Sequence, residues 1–113
     1  MHEYSIVRAL LERVEAEARA RQATAVGRLV VRIGELSGVE AELLRTAYLT
    51  FRERTICDGA SIDIETVPAE WICRACATPV ARGGVLRCAA CGGPAALTRG
   101  DEIVLERIEM EVA

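Results

Sequence analysis

A chain of 113 residues is about the size of one domain, which excludes a multidomain enzyme and leaves room for one core with at most one small module attached. Apolar residues make up 51% of it and the formal charge is −3, a globular composition without the basic surplus that nucleic-acid binders use to neutralise phosphates. The first 22 residues interleave apolar and charged side chains, so neither a signal peptide nor a membrane span is expected there, and the reading is a cytoplasmic protein with no membrane and no nucleic-acid partner.

Residues 5–22 place Ile6, Val7, Leu10, Leu11, Val14 and Ala18 at helical spacing, with Arg8, Glu12, Arg13, Glu15 and Arg19 mainly around the other side. From Ala25 the period becomes two: Leu29, Val31 and Ile33 share one face and Arg28 and Arg32 the other, the pattern of a half-buried strand. Gly34 and Gly38 bracket a turn, and Ser37 is placed to cap a second helix in which Leu44, Ala47, Tyr48 and Phe51 recur at three and four. A second strand follows Asp58-Gly59, with Ile62 and Ile64 alternating with Asp63 and Glu65 until Pro68. Residues 69–97 lose all periodicity and hold four of the five cysteines and the only tryptophan, the composition of a module in which a metal replaces a core. From Glu102 to Val112 the chain is strand-like again. Ile108, Met110 and Val112 lie on one parity while Ile103 and Leu105 lie on the other, so this strand is either apolar on both faces or bulged near Glu106.

The order helix, strand, helix, strand, cysteine module, strand predicts an α/β (α+β) fold: a small three-stranded mixed sheet with two helices, plus an inserted four-cysteine zinc-ribbon-like module. The strand-helix-strand unit favours parallel strands joined by a right-handed crossover. Residues 1–68 and 98–113 are expected to form the αβ domain and residues 69–97 the zinc-binding module.

Cys73-Arg-Ala-Cys76 and Cys88-Ala-Ala-Cys91 are two CxxC pairs with eleven residues between them, close to the spacing of four-thiolate zinc sites. Each pair offers two sulfurs from a tight turn, and two such knuckles complete a tetrahedron. Gly92 and Gly93 follow the second knuckle, where positive φ lets amides approach the sulfurs. Arg74, Arg82 and Arg87 are placed to offset the net charge of −2 that four thiolates leave on Zn²⁺. The expected role is structural: the metal folds a segment too short to fold alone. A rubredoxin-type iron centre and a CxxC redox couple are the weaker readings, since Trp71 is the lone nearby aromatic and no thioredoxin-like strand pattern accompanies the pairs. Cys57, outside both pairs, reads as a small, partly buried apolar residue.

His2 is the only histidine. The Met1 amine, the His2 amide nitrogen and the His2 imidazole can form adjoining five- and six-membered chelate rings, with Glu3 adding a fourth ligand through its amide or carboxylate. Met1 is expected to survive processing because His2 is bulky. A planar nitrogen array suits Ni²⁺ or Cu²⁺, and ligand spacing alone does not choose between them.

The opening MHEYSIV, the stretches IGELSGVEAELLRTAY and DGASIDIETVPAEWIC, the pairs CRAC and CAAC, and the closing GDEIVLERIEMEV together resemble the HypA/HybF family of hydrogenase maturation factors over essentially the whole chain. The resemblance implies a non-enzymatic nickel metallochaperone that delivers Ni(II) to the [NiFe]-hydrogenase large subunit precursor. It implies nickel on Met1, His2 and Glu3, and zinc on Cys73, Cys76, Cys88 and Cys91. The partners it implies are a nickel-binding GTPase maturation factor of the HypB type, with helix one as its contact, and the hydrogenase large subunit; the chain itself is expected as a monomer or weak homodimer. Unlike some relatives, it has no histidine beside the zinc knuckles. The competing reading, from another class, is a zinc-ribbon module binding nucleic acid or a transcription complex, for which Arg74, Arg82, Arg87 and Arg99 supply some charge.

Overall fold

A computed structural model describes residues 2–81 and 85–112, with the side chain of His2 outside the description. Helix α1 spans His2–Ala20 and leads through Gln22, at a φ of 55°, into strand β1, Ala23–Gly34. Helix α2 follows at Ala41–Phe51 and strand β2 at Ser61–Val67. Three short strands come next: β3 at Glu70–Cys73, β4 at Pro79–Val80 and β5 at Ala95–Arg99. Strand β6, Ile103–Val112, ends the fold.

The large sheet has the order β2-β1-β6, with β1 parallel to β2 and antiparallel to β6, the mixed three-stranded arrangement the pattern predicts. Both helices cover one face. Val7, Leu10, Leu11 and Val14 of α1 meet Leu44 and Tyr48 of α2 over Val26, Leu29, Val31, Ile33 and Ile62 of the sheet, all in one buried cluster. The alternating pattern places Leu29, Val31 and Ile33 inward, but Val26 joins them from the other parity. Its register explains this: between Val26 and Arg28 the pairing with β6 slips by one residue, so Gly27 is bulged and the alternation restarts.

The same physics resolves the last strand. Val30 pairs with Arg107 and Val31 with Leu105, which leaves Glu106 as the extra residue of a bulge. Ile103 and Leu105 before it, and Ile108 and Met110 after it, all pack on the one core. The parity change is therefore a bulge, and not a strand apolar on both faces.

Among the described residues, no helix covers the second face of the sheet. Arg28 reaches Asp63 of β2 at 2.5 Å and Glu109 of β6 at 2.9 Å, and Arg32 lies 3.8 Å from Glu65 and 3.9 Å from Glu106. Exposed ion pairs of this kind add little stability singly. Between the two arginines in sequence sits Val30, only 4% exposed on a strand with no covering layer on that side, and arginine stems commonly shield such apolar surface.

One local expectation needs correction. Ser37 does not cap α2: its hydroxyl accepts from the Val39 amide at 3.3 Å, within the turn, and the cap position is Glu40, whose side chain makes no capping hydrogen bond. The cysteine segment, aperiodic in sequence, carries β3, β4 and β5 as a second antiparallel sheet of order β4-β3-β5. Two to five residues per strand are too few to show a period in sequence.

The two sheets meet where β1 ends. The Gly34 amide donates to Glu102 O at 2.8 Å, the Leu36 amide to Gly100 O at 2.7 Å and the Ala69 amide to the Glu35 carboxylate at 2.8 Å. A Cβ on Gly34 would lie 2.3 Å from the Gly100 carbonyl, and one on Gly100, at a φ of 102°, 2.6 Å from Ala69 Cα. Only glycine lets these backbones touch.

Candidate metal centre

Cys73 closes β3 and Cys76 follows in a turn, while Cys88 and Cys91 lie in the loop that leads to β5. The two knuckles repeat one backbone device. The amide of the residue after each second cysteine donates to the carbonyl of the first: Ala77 to Cys73 O at 2.9 Å, Gly92 to Cys88 O at 2.8 Å. In each case that residue takes a left-handed φ, 61° at Ala77 and 71° at Gly92. The amide of each first cysteine then donates five residues on, Cys73 to Thr78 O at 2.8 Å and Cys88 to Gly93 O at 2.9 Å. Two turns of one geometry thus aim four sulfurs at one point.

All four Sγ atoms lie within 4.8 Å of one another. Cys73 and Cys91 sulfurs are 3.4 Å apart, Cys76 and Cys88 3.7 Å, Cys76 and Cys91 3.8 Å. These separations are far beyond a disulfide bond. They match the edges of a tetrahedron, about 3.8 Å, that metal–sulfur bonds of about 2.3 Å produce. Gly93 completes the cradle, because a Cβ there would stand 3.0 Å from Cys73 Sγ and 3.3 Å from Cys91 Sγ. Donor type, number and spacing all fit a tetrahedral dication such as Zn²⁺, with Cys73, Cys76, Cys88 and Cys91 as its ligands.

The local electrostatics support anionic sulfur. The Thr78 hydroxyl, 3.1 Å from Cys76 Sγ, and the Thr78 amide hold the Cys76 thiol down to about 6. Backbone amides of Cys76 and Ala75 lower Cys73, the latter amide standing 3.3 Å from its sulfur. At Cys91 the Gly93 amide pulls the same way, but the crowd of Cys73, Cys76 and Cys88 sulfurs outweighs it and pushes the thiol up to about 12. Four sulfurs this close share protons that a dication can replace. Arg87 reaches the second knuckle through Gly92 O at 3.4 Å, and Arg82 lies outside the described residues.

Of the expected nickel residues, His2 and Glu3 begin α1. Met1 and the side chain of His2 lie outside the described residues; the His2 backbone begins α1 and Glu3, half-buried, is in its first turn. The helix starts three residues earlier than its apolar spacing suggests. The next residue, Tyr4, packs its ring edge-on against Phe51 at the end of α2, with centroids 4.5 Å apart. Cys57, expected to be partly buried, is fully buried in the core beside Tyr48, and burial pushes its thiol up. Sequence reading missed Ala77 and Thr78. The repeat of the knuckle was the available signal, because the position of Gly92 in one turn is that of Ala77 in the other.

A family model described as hydrogenase/urease nickel incorporation, metallochaperone, matches residues 1–110. The hydrogenase maturation factor HypA of Wolinella succinogenes is 40% identical over 114 residues, covering 98% of this chain and 96% of its own. The factor of the same name from Shewanella halifaxensis is 40% identical over 116 residues, with each chain covered in full at 100%. Among solved structures, the solution structure of the Ni metallochaperone HypA from Helicobacter pylori superposes with a TM-score of 0.74 at 32% identity, covering 98% of both chains. A second solution structure of a HypA protein gives 0.81 at 33% identity, over 100% of this chain and 98% of that one.

Proposed function

We propose, from the premise that this chain belongs to the HypA family of nickel-incorporation metallochaperones, that it carries Ni(II) on Met1, His2 and Glu3 to the [NiFe]-hydrogenase large subunit precursor. The observation that supports the reading most is the extent of the family match, residues 1–110, which takes in both the Met-His-Glu opening and the four-sulfur cluster. The chemistry of the opening agrees with it. The first amides of a helix have no intrahelical acceptor, so the nitrogens of His2 and Glu3 are free to serve as donors beside the Met1 amine and the His2 imidazole. A terminus held by one helix gives up its ion more readily than a caged site does, which suits a carrier.

Zn²⁺ on Cys73, Cys76, Cys88 and Cys91 supplies folding free energy to the module of residues 69–97, and the remainder, 1–68 with 98–113, carries the cargo. The chain performs no catalysis in this reading. It works in the cytoplasm, as a monomer or weak homodimer, with a nickel-binding GTPase of the HypB type docking on the exposed charges of α1, where Arg8 pairs with Glu12 at 3.4 Å. No helix of the described residues is long and apolar enough to cross a membrane.

The test is metal titration of untagged protein followed by calorimetry and mass spectrometry. His2→Ala should abolish tight nickel binding while one zinc per chain and the circular dichroism spectrum persist. Unchanged nickel affinity in that variant would rule out the N-terminal site.

A further inference from the structure

Among the described residues, β6 pairs with β1 alone and so forms one edge of the large sheet, where half of its backbone N–H and C=O groups face away from any strand. We infer that a second copy of this chain docks on this edge. Its β6 runs antiparallel to the first about a twofold axis at Ile108, so that the two three-stranded sheets join into one. The inference goes beyond the carrier reading and stands apart from it.

The helical layer stops short of β6. Leu29, Val31 and Ile33 of β1 are at most 2% exposed, whereas Leu105, Ile108 and Met110, on the same face of the sheet, stay only partly buried. These three line an open groove of about 390 Å³ beside Arg13, Glu17 and Arg21 of α1. Val112, at the end of the strand, is 57% exposed. Edge strands are commonly blunted by charges and a bulge, and β6 has both. Its charges, however, lie on the opposite, helix-free face, where Glu109 meets Arg28 and Arg107, and Glu106 stands near Arg32. The apolar face of the strand carries no charge of its own to turn a neighbour away.

One register of β6 on β6 suits both faces. With the axis at Ile108, that residue meets its own copy, and Arg107 of each chain stands opposite Glu109 of the other, twice over by symmetry. Each strand skips Glu106 toward β1, and the same skip toward its new neighbour sets Met110 opposite Leu105 and Val112 opposite Ile103, apolar against apolar. An axis between two residues would turn the apolar face of one strand against the charged face of the other. An axis at Arg107 or Glu109 sets like charges face to face, one at Met110 sets Glu109 against Glu111, and one nearer the start of the strand leaves Met110 and Val112 without partners. The other edge lacks this complementarity: β2 carries only acids, Asp63 and Glu65, on its charged face, so no self-pairing of β2 gains an opposite-charge pair. Joining β2 of one copy to β6 of the next is heterologous and leaves free edges for further growth, whereas the β6 pair closes.

The experiment uses the full-length, zinc-loaded chain without nickel. Sedimentation equilibrium reads its oligomeric state up to about 1 mM, and hydrogen exchange of the β6 amides is followed over the same concentrations. The unsubstituted chain should pass from monomer to dimer and stop there, while the β6 amides turned away from β1 become protected. Arg107→Glu, which faces each Glu109 with a like charge, should weaken the dimer by roughly ten- to a hundred-fold, and Arg107→Lys should leave it near the unsubstituted strength. Val112→Lys should weaken it by roughly two- to ten-fold. Both positions are exposed, and the melting temperature checks that each variant is folded. A chain that is monomeric at every concentration overturns the inference and leaves the edge to a different partner. Growth beyond a dimer overturns it in favour of β2-to-β6 joining. A dimer whose strength and β6 protection ignore both Arg107→Glu and Val112→Lys overturns it by placing the interface elsewhere. None of these outcomes depends on nickel uptake.

Discussion

Gly93→Ala tests the sulfur cradle at its tightest point. The added methyl would lie 3.0 Å from Cys73 Sγ and 3.3 Å from Cys91 Sγ, both closer than ordinary van der Waals contact. Cys73 is 1% exposed and its backbone is fixed at both ends, by the Thr78 carbonyl and the Ala77 amide, so its sulfur has little room to retreat. Overpacking of this degree costs about 1–3 kcal/mol. Charged to metal binding, that is a loss of roughly 5- to 150-fold in zinc affinity. The neighbouring Gly92→Ala is the informative control. A Cβ there meets nothing within 4 Å, and only the left-handed φ of 71° opposes it. The matching place in the first knuckle already holds Ala77 at 61°, so the turn accepts alanine, and the cost should sit near about 1 kcal/mol. Competition for zinc against a chromophoric chelator, with metal stoichiometry measured separately, ranks the two. Zinc bound by Gly93→Ala as tightly as by the unsubstituted chain would refute the geometric argument, whatever Gly92→Ala does.

Tyr48→Phe removes a buried hydroxyl that donates to Ala60 O at 2.9 Å, but that carbonyl keeps the Arg52 guanidinium at 2.6 Å and is not orphaned. The expected cost is therefore about 1 kcal/mol in urea unfolding, and a loss of several times that would mean the network is more cooperative than its geometry suggests. Hydrogen bonds from Arg21 and then Arg13 hold the Glu17 carboxyl below its usual range. A depressed carboxylate stabilises the fold above its unfolded pKa, and that contribution disappears as pH falls through the folded value, so Glu17→Gln should lower stability slightly at neutral pH, flatten the acid limb below the ordinary carboxylate range by the same amount, and match the unsubstituted chain at still lower pH. Stripping zinc with a chelator should remove amide protection from β3, β4 and β5 while α1, α2 and the β2-β1-β6 sheet stay protected in hydrogen exchange. Concerted loss of protection in both sheets would show that the Gly34 to Gly100 junction couples them.

What could be read in the sequence divides along physical lines. The helices, β1, β2 and the four-sulfur site are written in periodicity and cysteine spacing, which are properties of neighbouring residues. The strand ending at Val112 carried a parity conflict that one bulge at Glu106 removes, but a bulge is a property of pairing, and β1 and β6 are far apart in sequence. Ser37 looked like a helix cap because serine serves that purpose often; here its hydroxyl instead takes up the Val39 amide in the turn between Gly34 and α2. The second sheet was illegible for a different reason: its longest strand, Ala95–Arg99, has five residues, and its order depends on the knuckles that hold β3 and β5 together. Ala77 shows the limit most sharply. Alanine gives no sign of a left-handed φ, yet superposing CRACAT on CAACGG places it where glycine stands in the second turn. The two knuckles also differ one residue later, Thr78 against Gly93. The first lends a hydroxyl to Cys76, and the second lends empty space to Cys73 and Cys91. Each knuckle thus supplies what the other lacks, so exchanging Thr78 and Gly93 should impair zinc binding more than repeating either knuckle twice would suggest from cysteine spacing alone.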